Sequence, residues 1–331
     1  MTRIAIAAPV RPSANSGNDV TAARWAARLT ELGHSVDVVA ANENHGPVDD
    51  IASVDHAELL IALHGRRSAK TGNWWRERHP DRPVVVGLAG TDLYVDMPSD
   101  AATMANVAAA DALIVLQPAA VERLHAFEPS WADKTHVIHQ SVDQPLPPRQ
   151  PPFDEFRVVV LAHLRSIKDP LLAARAASML PPTSRVAVHH GGRAMDDDWL
   201  LQVSAEAASN ERYVWHGELN AAAALELLAS ADVLACTSIS EGGANVVTEA
   251  IAMGVPVVGT RMAGNVGLLG DDHPGLFPVG DHLGFASMLD WLELSPTALD
   301  ELAQRSVDRQ HLTEPETERR ALDTLIRSLI S

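Results

Sequence analysis

The residues best suited to chemistry are two glutamates, Glu241 and Glu249, with a glycine pair between them. Gly242 and Gly243 let backbone N–H groups approach a ligand closely at a helix start, where partial positive charge favours phosphate or hydroxyl-rich groups. The spacing predicts that Glu249 lies about two turns into that helix, on a face near the loop. A carboxylate there can accept two hydrogen bonds from the adjacent hydroxyls of a ribose. The alternative is a capped helix with a solvated glutamate.

Two basic clusters supply the cations that an anionic ligand needs. Lys plus Arg number 26 and Asp plus Glu 43, a net charge of −17, so an anion requires a local positive pocket. Arg66 and Arg67 follow a predicted strand and His64, and guanidinium groups suit phosphate oxygens. Arg165 and Lys168 lie in the segment HLRSIKDP, after another predicted strand. The alternatives are an interdomain salt bridge for the arginine pair, ordinary surface charge for the second cluster, and a structural role for the histidine.

Short apolar runs recur along the chain and predict the strands that hold these residues. Runs that are apolar at successive positions are typical of parallel strands buried on both faces. Helical patterns alternate with them, and this alternation predicts an α/β fold. The predicted strands are Ile4–Ala8, Val36–Ala40, Leu59–Leu63, Val84–Leu88, Ala112–Leu116, Arg157–Ala162, Arg185–His189, Tyr213–Trp215, Asp232–Cys236 and Pro256–Gly259. The predicted helices include Val20–Leu29, which Gly33 ends, and Pro170–Leu180, Ala221–Ala229, Ala244–Met253 and Glu314–Ile330.

A proline-rich stretch divides the chain. Residues 144–152 contain five prolines in nine positions, which excludes a helix or a central strand. We therefore predict an N-terminal domain at 1–143, a linker at 144–152, a C-terminal domain at 153–312 and a final helix at 313–331.

Composition excludes several classes of protein and partner. The chain of 331 residues is 46% hydrophobic and 21% charged, as ordinary folded proteins are. Its acidic charge disfavours nucleic acid and anionic membranes as partners. The single cysteine, Cys236, forms no internal disulfide and excludes cysteine-based zinc spacings. No apolar stretch reaches the roughly 18 residues of a membrane span, and we expect a cytoplasmic protein.

The segment Ser238–Thr260 resembles the E-x7-E signature of GT4-like glycosyltransferases with the GT-B fold. The resemblance implies two Rossmann-like domains whose parallel sheets face each other across a cleft, with the last helix packing back on the N-terminal domain. It implies that the C-terminal domain binds a nucleotide-sugar donor, whose diphosphate Arg165 and Lys168 neutralise. It further implies donor contacts from Gly217 in the segment HGEL and from Gly242, Gly243, Ala244, Asn245, Glu249, Gly264 and Asn265. No metal or other cofactor is expected, and Asp196–Asp198 is interpreted as a helix cap.

Four separated motifs together resemble the selenosugar synthase of the selenoneine pathway, the SenB family. The motifs are Ser16–Trp25, with Gly17-Asn18; Ala62–Ala69, with His64-Gly65-Arg66-Arg67; Gly90–Tyr94, with Thr91-Asp92; and Gly264–Gly275, with Asn265. The family joins a UDP-sugar, typically UDP-N-acetylglucosamine, to selenophosphate with release of UDP, and loss of phosphate leaves a selenosugar. The resemblance implies an acceptor site at Gly17, Asn18, Arg66, Arg67, Thr91 and Asp92, and catalytic roles for His64, Arg165, Lys168 and Glu241.

Two other functions remain open at this point. A glycosyltransferase with a hydroxyl acceptor would share the donor site and differ at Arg66 and Arg67. A non-catalytic protein that binds nucleotide sugars would keep Glu249 and Arg165 without turnover. Release of UDP that depends on selenophosphate distinguishes all three.

Overall fold

The computed structural model describes residues 1–9, 17–41, 48, 50–150 and 153–330. Pro151 and Pro152 of the predicted linker, and the terminal Ser331, lie outside these residues. The chain divides into two units. The N-terminal unit contains Met1–Ser141, Glu241–Gly243 and the segment that starts at Glu314, and the C-terminal unit contains Val142–Ser240 and Ala244–Thr313.

The N-terminal unit is built on a six-stranded parallel sheet with the strand order β2-β1-β3-β4-β5-β6. Its strands are β1 (Arg3–Ala8), β2 (Ser35–Ala40), β3 (Leu59–Leu63), β4 (Val84–Leu88), β5 (Ala112–Val115) and β6 (Thr135–Val137). Its helices are α1 (Gly17–Glu31), α2 (Ile51–Asp55), α3 (Ala69–Arg78), α4 (Ala101–Ala109), α5 (Ala119–Phe127) and α6 (Pro129–Asp133), with a π-helical turn at Asp92–Asp96.

Successive residues of the central strands enter different cores on the two faces of this sheet. In β3, Leu60 and Ala62 pack in one cluster, whereas Leu59, Ile61 and Leu63 pack in the other. All five residues are buried. Helices cover both faces, which is why the strand is apolar at every position and not at alternate ones.

The C-terminal unit contains a second six-stranded parallel sheet, with the order β12-β11-β10-β7-β8-β9. Its strands are β7 (Phe156–Leu161), β8 (Val186–Gly191), β9 (Tyr213–Gly217), β10 (Val233–Cys236), β11 (Val257–Thr260) and β12 (Leu276–Phe277). Its helices are α7 (Leu172–Ser178), α8 (Asp197–Ser209), α9 (Ala221–Ala229), α10 (Asn245–Met253), α11 (Ala263–Leu269), α12 (His282–Leu294) and α13 (Pro296–Asp308). The last helix of the chain, α14 (Pro315–Ile330), belongs to the N-terminal unit.

The strand orders predict where each unit binds ligands. Counted from its own first strand, the C-terminal unit has the Rossmann order, which reverses direction between β7 and β10. The N-terminal unit reverses between β1 and β3. Ligands of open α/β sheets bind outside the carboxyl ends of the strands at such reversals. We therefore expect a ligand-binding site in the loops that follow these four strands.

The fold agrees closely with the pattern of the sequence. All ten predicted strands are present within two residues at either end, and the sequence did not predict β6 and β12. Asp196 caps α8 as expected, because its Oδ1 accepts a hydrogen bond from the backbone N–H of Trp199 at 2.8 Å. In the part of the chain that the structure describes, no helix is long and apolar enough to cross a bilayer.

Candidate functional site

The basic loop after β7 is tied to the end of β10. A short 3-10 turn, Ser166–Lys168, is followed by Asp169 in a left-handed conformation with φ of +39°. The Thr237 hydroxyl lies 3.0 Å from the carbonyl oxygens of both Lys168 and Asp169. Arg165 is exposed and Lys168 is half-buried. These contacts fix the Lys168 end of the loop at the strand reversal of the C-terminal unit, and the Lys168 backbone N–H donates to the Arg165 carbonyl oxygen at 2.9 Å.

The predicted ribose-binding glutamate lies near the start of α10. Ala244 occupies the N-cap position and has no side chain that could cap the first N–H groups, and Gly254 ends the helix with φ of +66°. Glu249 is half-buried and is the fifth residue of α10. It therefore lies about one turn from the start of the helix, whereas the sequence predicted two turns. The difference arises because residues 241–243 precede the helix. The predicted donor-binding residues Ala244 and Asn245 form its first turn.

Three further predicted donor-binding residues lie at or beyond the carboxyl ends of β9 and β11, which three strands separate in the sheet. Gly217 ends β9 with φ of +70°, and Gly264 and Asn265 lie in the first turn of α11. The Asn265 side chain is fully buried, and its Nδ2 donates to the Thr260 carbonyl oxygen at 2.9 Å. This side chain fixes α11 on β11, so a donor contact at Asn265 is predicted for its main chain.

The sequence analysis missed a buried pair that fixes the start of the basic loop. His190 is 0% exposed, its Nε2 lies 2.8 Å from the Ala162 carbonyl oxygen, and its Nδ1 lies 2.7 Å from the Tyr213 hydroxyl. Burial lowers the pKa of His190 to about 4 and raises the pKa of Tyr213. The neutral imidazole therefore donates to Ala162 and accepts from Tyr213, at the point where the chain leaves β7 toward Arg165.

This pair predicts a pH dependence of stability. The pKa of His190 is about 4 in the folded protein against an ordinary 6.5, so the unfolded chain binds a proton first as pH falls. The contribution of His190 to the free energy of unfolding is complete above pH 6.5 and decreases between 6.5 and 4, at up to about 1.4 kcal/mol per pH unit. His190→Gln keeps a donor and an acceptor but does not titrate. Urea unfolding across this range should show a shallower pH dependence in the variant, and an identical slope contradicts the assignment.

In the N-terminal unit, the loop after β3 is bonded to the end of β1. The Ser68 hydroxyl donates to the Leu63 carbonyl oxygen at 2.5 Å, and the same hydroxyl oxygen lies 3.2 Å from the Ala7 carbonyl oxygen. His64 has φ of +71° and is 2% exposed. Its Nδ1 lies 3.4 Å from the Arg67 backbone nitrogen, and its Nε2 lies 3.1 Å from the Thr91 hydroxyl. The predicted residues His64 and Thr91 therefore meet at this strand reversal.

Asp92 organises this loop. Its carboxylate is fully buried. It accepts four backbone hydrogen bonds, from the N–H groups of Gly65, Ala89, Gly90 and Leu93, at 2.7 to 3.1 Å. The sequence-based interpretation placed Asp92 in the acceptor site. In the structure its carboxylate holds the backbone on either side of His64 and Thr91, and its Oδ2 lies 3.7 Å from His64 Nδ1. A contact of Asp92 with the acceptor stays a prediction.

The remaining predicted acceptor-binding residues lie on the same sheet edge. Arg66 is 41% exposed at its side chain, and its Nε lies 3.0 Å from Asp96 Oδ2. This ion pair lies within the N-terminal unit, so it is not the interdomain salt bridge that the sequence analysis left as an alternative. Arg67 is half-buried. Gly17 and Asn18 form the first turn of α1, which follows β1.

The Gly-Gly loop makes close backbone contact within the N-terminal unit. A Cβ atom added to Gly242 would lie 2.3 Å from the Ala89 carbonyl oxygen, and one added to Gly90 would lie 2.3 Å from the Gly242 nitrogen. Gly90 also has φ of +133°. Both positions require glycine, and they place Glu241–Gly243 beside the Thr91 loop.

Comparison with solved structures identifies the class of fold. Anabaena HepE in complex with UDP-glucose superposes with a TM-score of 0.81 and 17% identity, over 99% of this chain and 100% of that one. Sucrose-phosphate synthase from Thermosynechococcus elongatus gives 0.78 and 16%, over 99% of both chains. The lipopolysaccharide outer core galactosyltransferase WaaB in its apo form gives 0.72 and 15%, over 99% of both chains. The chain has the GT-B fold, as the sequence predicted.

The sequence match is more specific but shorter. Residues 147–308 match the model of the family described as Glycosyl transferases group 1, which is just under half of the chain. The match falls on the C-terminal unit and includes the basic loop and α10. No curated protein matches the sequence significantly. Among the described residues, no group of three or more His, Cys, Asp or Glu side chains could hold a metal ion.

Proposed function

We propose that this protein is a glycosyltransferase that uses a UDP-sugar as donor. The observation that carries the proposal is the strand reversal of the C-terminal unit, where the backbone of the Arg165–Lys168 loop is bonded to the end of β10. The same region matches the group 1 glycosyltransferase family. A fold neighbour, HepE, has been solved with UDP and with UDP-glucose, which supports a UDP-sugar as donor.

The proposed roles follow from the chemistry of each group. Glu249 accepts hydrogen bonds from the ribose hydroxyls, and the N–H groups at the start of α10 face a phosphate or the sugar. Arg165 and Lys168 neutralise the charge that develops on UDP as the bond between the anomeric carbon and the diphosphate oxygen breaks. In this proposal the diphosphate is held by side chains and backbone dipoles, without a metal ion.

For the acceptor we propose selenophosphate, on the resemblance to selenosugar synthases. Its selenium attacks the anomeric carbon, the carbon–oxygen bond to UDP breaks, and UDP leaves. Hydrolysis of the selenium–phosphorus bond by water then releases phosphate and leaves a selenosugar. Arg66 and Arg67 would bind the phosphate oxygens, and His64 would lie beside them. Selenophosphate is already a strong nucleophile, which lowers the need for a general base.

A UDP-release assay tests this proposal and separates it from the alternatives. UDP-N-acetylglucosamine and UDP-glucose are each incubated without acceptor and with selenophosphate, thiophosphate, phosphate or a sugar with free hydroxyl groups, before and after treatment with EDTA. Binding of UDP is measured in parallel. Release that requires selenophosphate and survives EDTA supports the full proposal. If UDP is released only with a hydroxyl acceptor, the protein is a glycosyltransferase with a different acceptor. If the protein binds UDP but releases none from a UDP-sugar, it is a non-catalytic binding protein. Loss of activity that a divalent ion restores contradicts the metal-independent mechanism.

The acceptor pocket predicts a selective kinetic defect. Arg66→Ala and Arg67→Ala should each raise the KM for selenophosphate about tenfold or more, because a charge-assisted hydrogen bond contributes about 1.5–3 kcal/mol. The donor KM should change little. Arg3→Ala is a matched control, since Arg3 is also an arginine of this unit paired with an acid, Glu58. If both variants keep the wild-type KM for selenophosphate while Lys70→Ala raises it, the acceptor pocket has been assigned to the wrong residues.

A further inference from the structure

A buried glutamine holds the Gly242-Gly243 loop from behind. Gln140 lies three residues beyond β6 and is 2% exposed. Its Nε2 donates a hydrogen bond of 2.7 Å to the Gly243 carbonyl oxygen. The Gly243 backbone is thus fixed by a side chain about one hundred residues earlier in the sequence. Glycine has wide conformational freedom, so a loop of two glycines needs such an anchor to keep one conformation.

The orientation of the Gln140 amide is itself determined. Its Oε1 accepts from Arg24 Nη2 at 2.9 Å. The Thr21 hydroxyl lies 3.1 Å from the same oxygen and 2.9 Å from the Gly17 carbonyl oxygen, so it shares its proton between the two. A guanidinium group can only donate, so the oxygen of the amide must face Arg24. The NH₂ group is then directed to Gly243. Arg24 therefore acts on the loop by orienting the amide of Gln140.

Arg24 is held in turn by an acid from the last helix. Its Nε lies 3.0 Å from both carboxylate oxygens of Glu318, which is fully buried in α14. The Trp25 indole N–H donates to Glu318 Oε1 at 3.1 Å, and the Ser141 hydroxyl donates to Oε2. Both buried charges are therefore paired and hydrogen-bonded, which is the condition for a rigid polar network.

We infer that Gln140 is a positioning residue for the Gly242-Gly243 loop, and that the Arg24–Glu318 ion pair fixes the orientation of the Gln140 amide. It does not touch the donor, and it acts by fixing the carbonyl of Gly243 and so the backbone N–H groups of the loop. The inference rests on the proposed function, in which this loop faces the nucleotide sugar. On this inference α14 contributes to the site indirectly. Its Glu318 holds Arg24, Arg24 orients the Gln140 amide, and the amide binds the Gly243 carbonyl oxygen.

The near-isosteric change Gln140→Glu tests this inference. The carboxylate can still accept from Arg24 and Thr21 but has no N–H for Gly243. Gln144→Glu is the matched control, because it makes the same change at an exposed position four residues away. Two readouts are measured in the full-length protein: hydrogen exchange of the amides at 241–244, and the kinetics of UDP release.

Hydrogen exchange shows whether Gln140 anchors the loop, and kcat shows whether the anchored loop matters for the reaction. We expect exchange at 241–244 to rise about tenfold in Gln140→Glu alone, with kcat about tenfold lower and a melting temperature close to wild type. Unchanged exchange overturns the inference, and so does faster exchange with wild-type kcat. If the wild-type protein releases no UDP with any acceptor, the proposed function fails, and the exchange data still show whether Gln140 anchors the loop. Should Gln140→Glu fail to fold, Gln140→Met removes the N–H donor to Gly243 without adding a charge. This variant is expected to raise exchange in the same segment, and unchanged exchange there overturns the inference.

Discussion

Gly242→Ala is expected to lower kcat/KM for the UDP-sugar by about 100-fold while the protein still folds. The added Cβ would lie 2.3 Å from the Ala89 carbonyl oxygen and 2.8 Å from the Gly90 Cα. Both are backbone atoms next to the loop that Asp92 fixes through four hydrogen bonds, so the Gly-Gly loop must move. A displacement of about 1 Å at a site that acts by positioning is enough for a loss of this size. Steady-state kinetics with varied donor measure the effect.

Gly33→Ala is the control for a general effect of adding a methyl group. Gly33 follows α1 with φ of +86° and has open space around it. Alanine there is strained and should decrease the free energy of unfolding by about 1 kcal/mol, with kcat/KM unchanged. Wild-type kcat/KM in a folded Gly242→Ala protein is inconsistent with a role for the Gly-Gly loop in donor binding.

Arg165→Ala and Glu249→Ala are expected to impair donor use in different ways. Arg165 is proposed to stabilise charge on departing UDP, so its loss should lower kcat about 100-fold with a smaller change in donor KM. Glu249 is proposed to contact the ribose, so its loss should raise donor KM by an amount equivalent to about 1–3 kcal/mol. Initial rates at varied UDP-sugar concentration separate the two effects.

Arg185→Ala provides the comparison for these variants. Arg185 is 59% exposed, lies in the same unit and pairs with Glu293. Its loss should leave kcat and donor KM unchanged. The donor site is in the wrong place if Arg165→Ala and Glu249→Ala behave like Arg185→Ala.

The strands could be predicted from the sequence because their burial leaves a local signal. Strands such as β3 are apolar at every residue, since both faces of the sheet are covered. The exceptions are β6, whose three residues are only half-buried, and β12, which has two residues. Neither forms an apolar run long enough to be separated from a loop.

The candidate site was only partly predictable, because some of its residues depend on distant parts of the chain. Arg165 and Glu249 lie in recognisable local motifs. The sequence analysis placed Glu318 only in the predicted helix Glu314–Ile330, since nothing near it in sequence shows that it is buried against Arg24, 294 residues away. Gln140 was missed for the same reason. The four hydrogen bonds to Asp92 depend on a loop conformation that composition does not show.

The most direct test of the proposed reaction is a mass spectrum of the products formed from UDP-N-acetylglucosamine and selenophosphate. The proposal predicts a sugar with the isotope pattern of one selenium atom, in an amount equal to the UDP released. The same sample from the Arg165→Ala variant should contain little of either product. Release of UDP without a selenium-containing sugar contradicts the proposed acceptor, and the absence of both products from the wild-type reaction contradicts the proposed transfer.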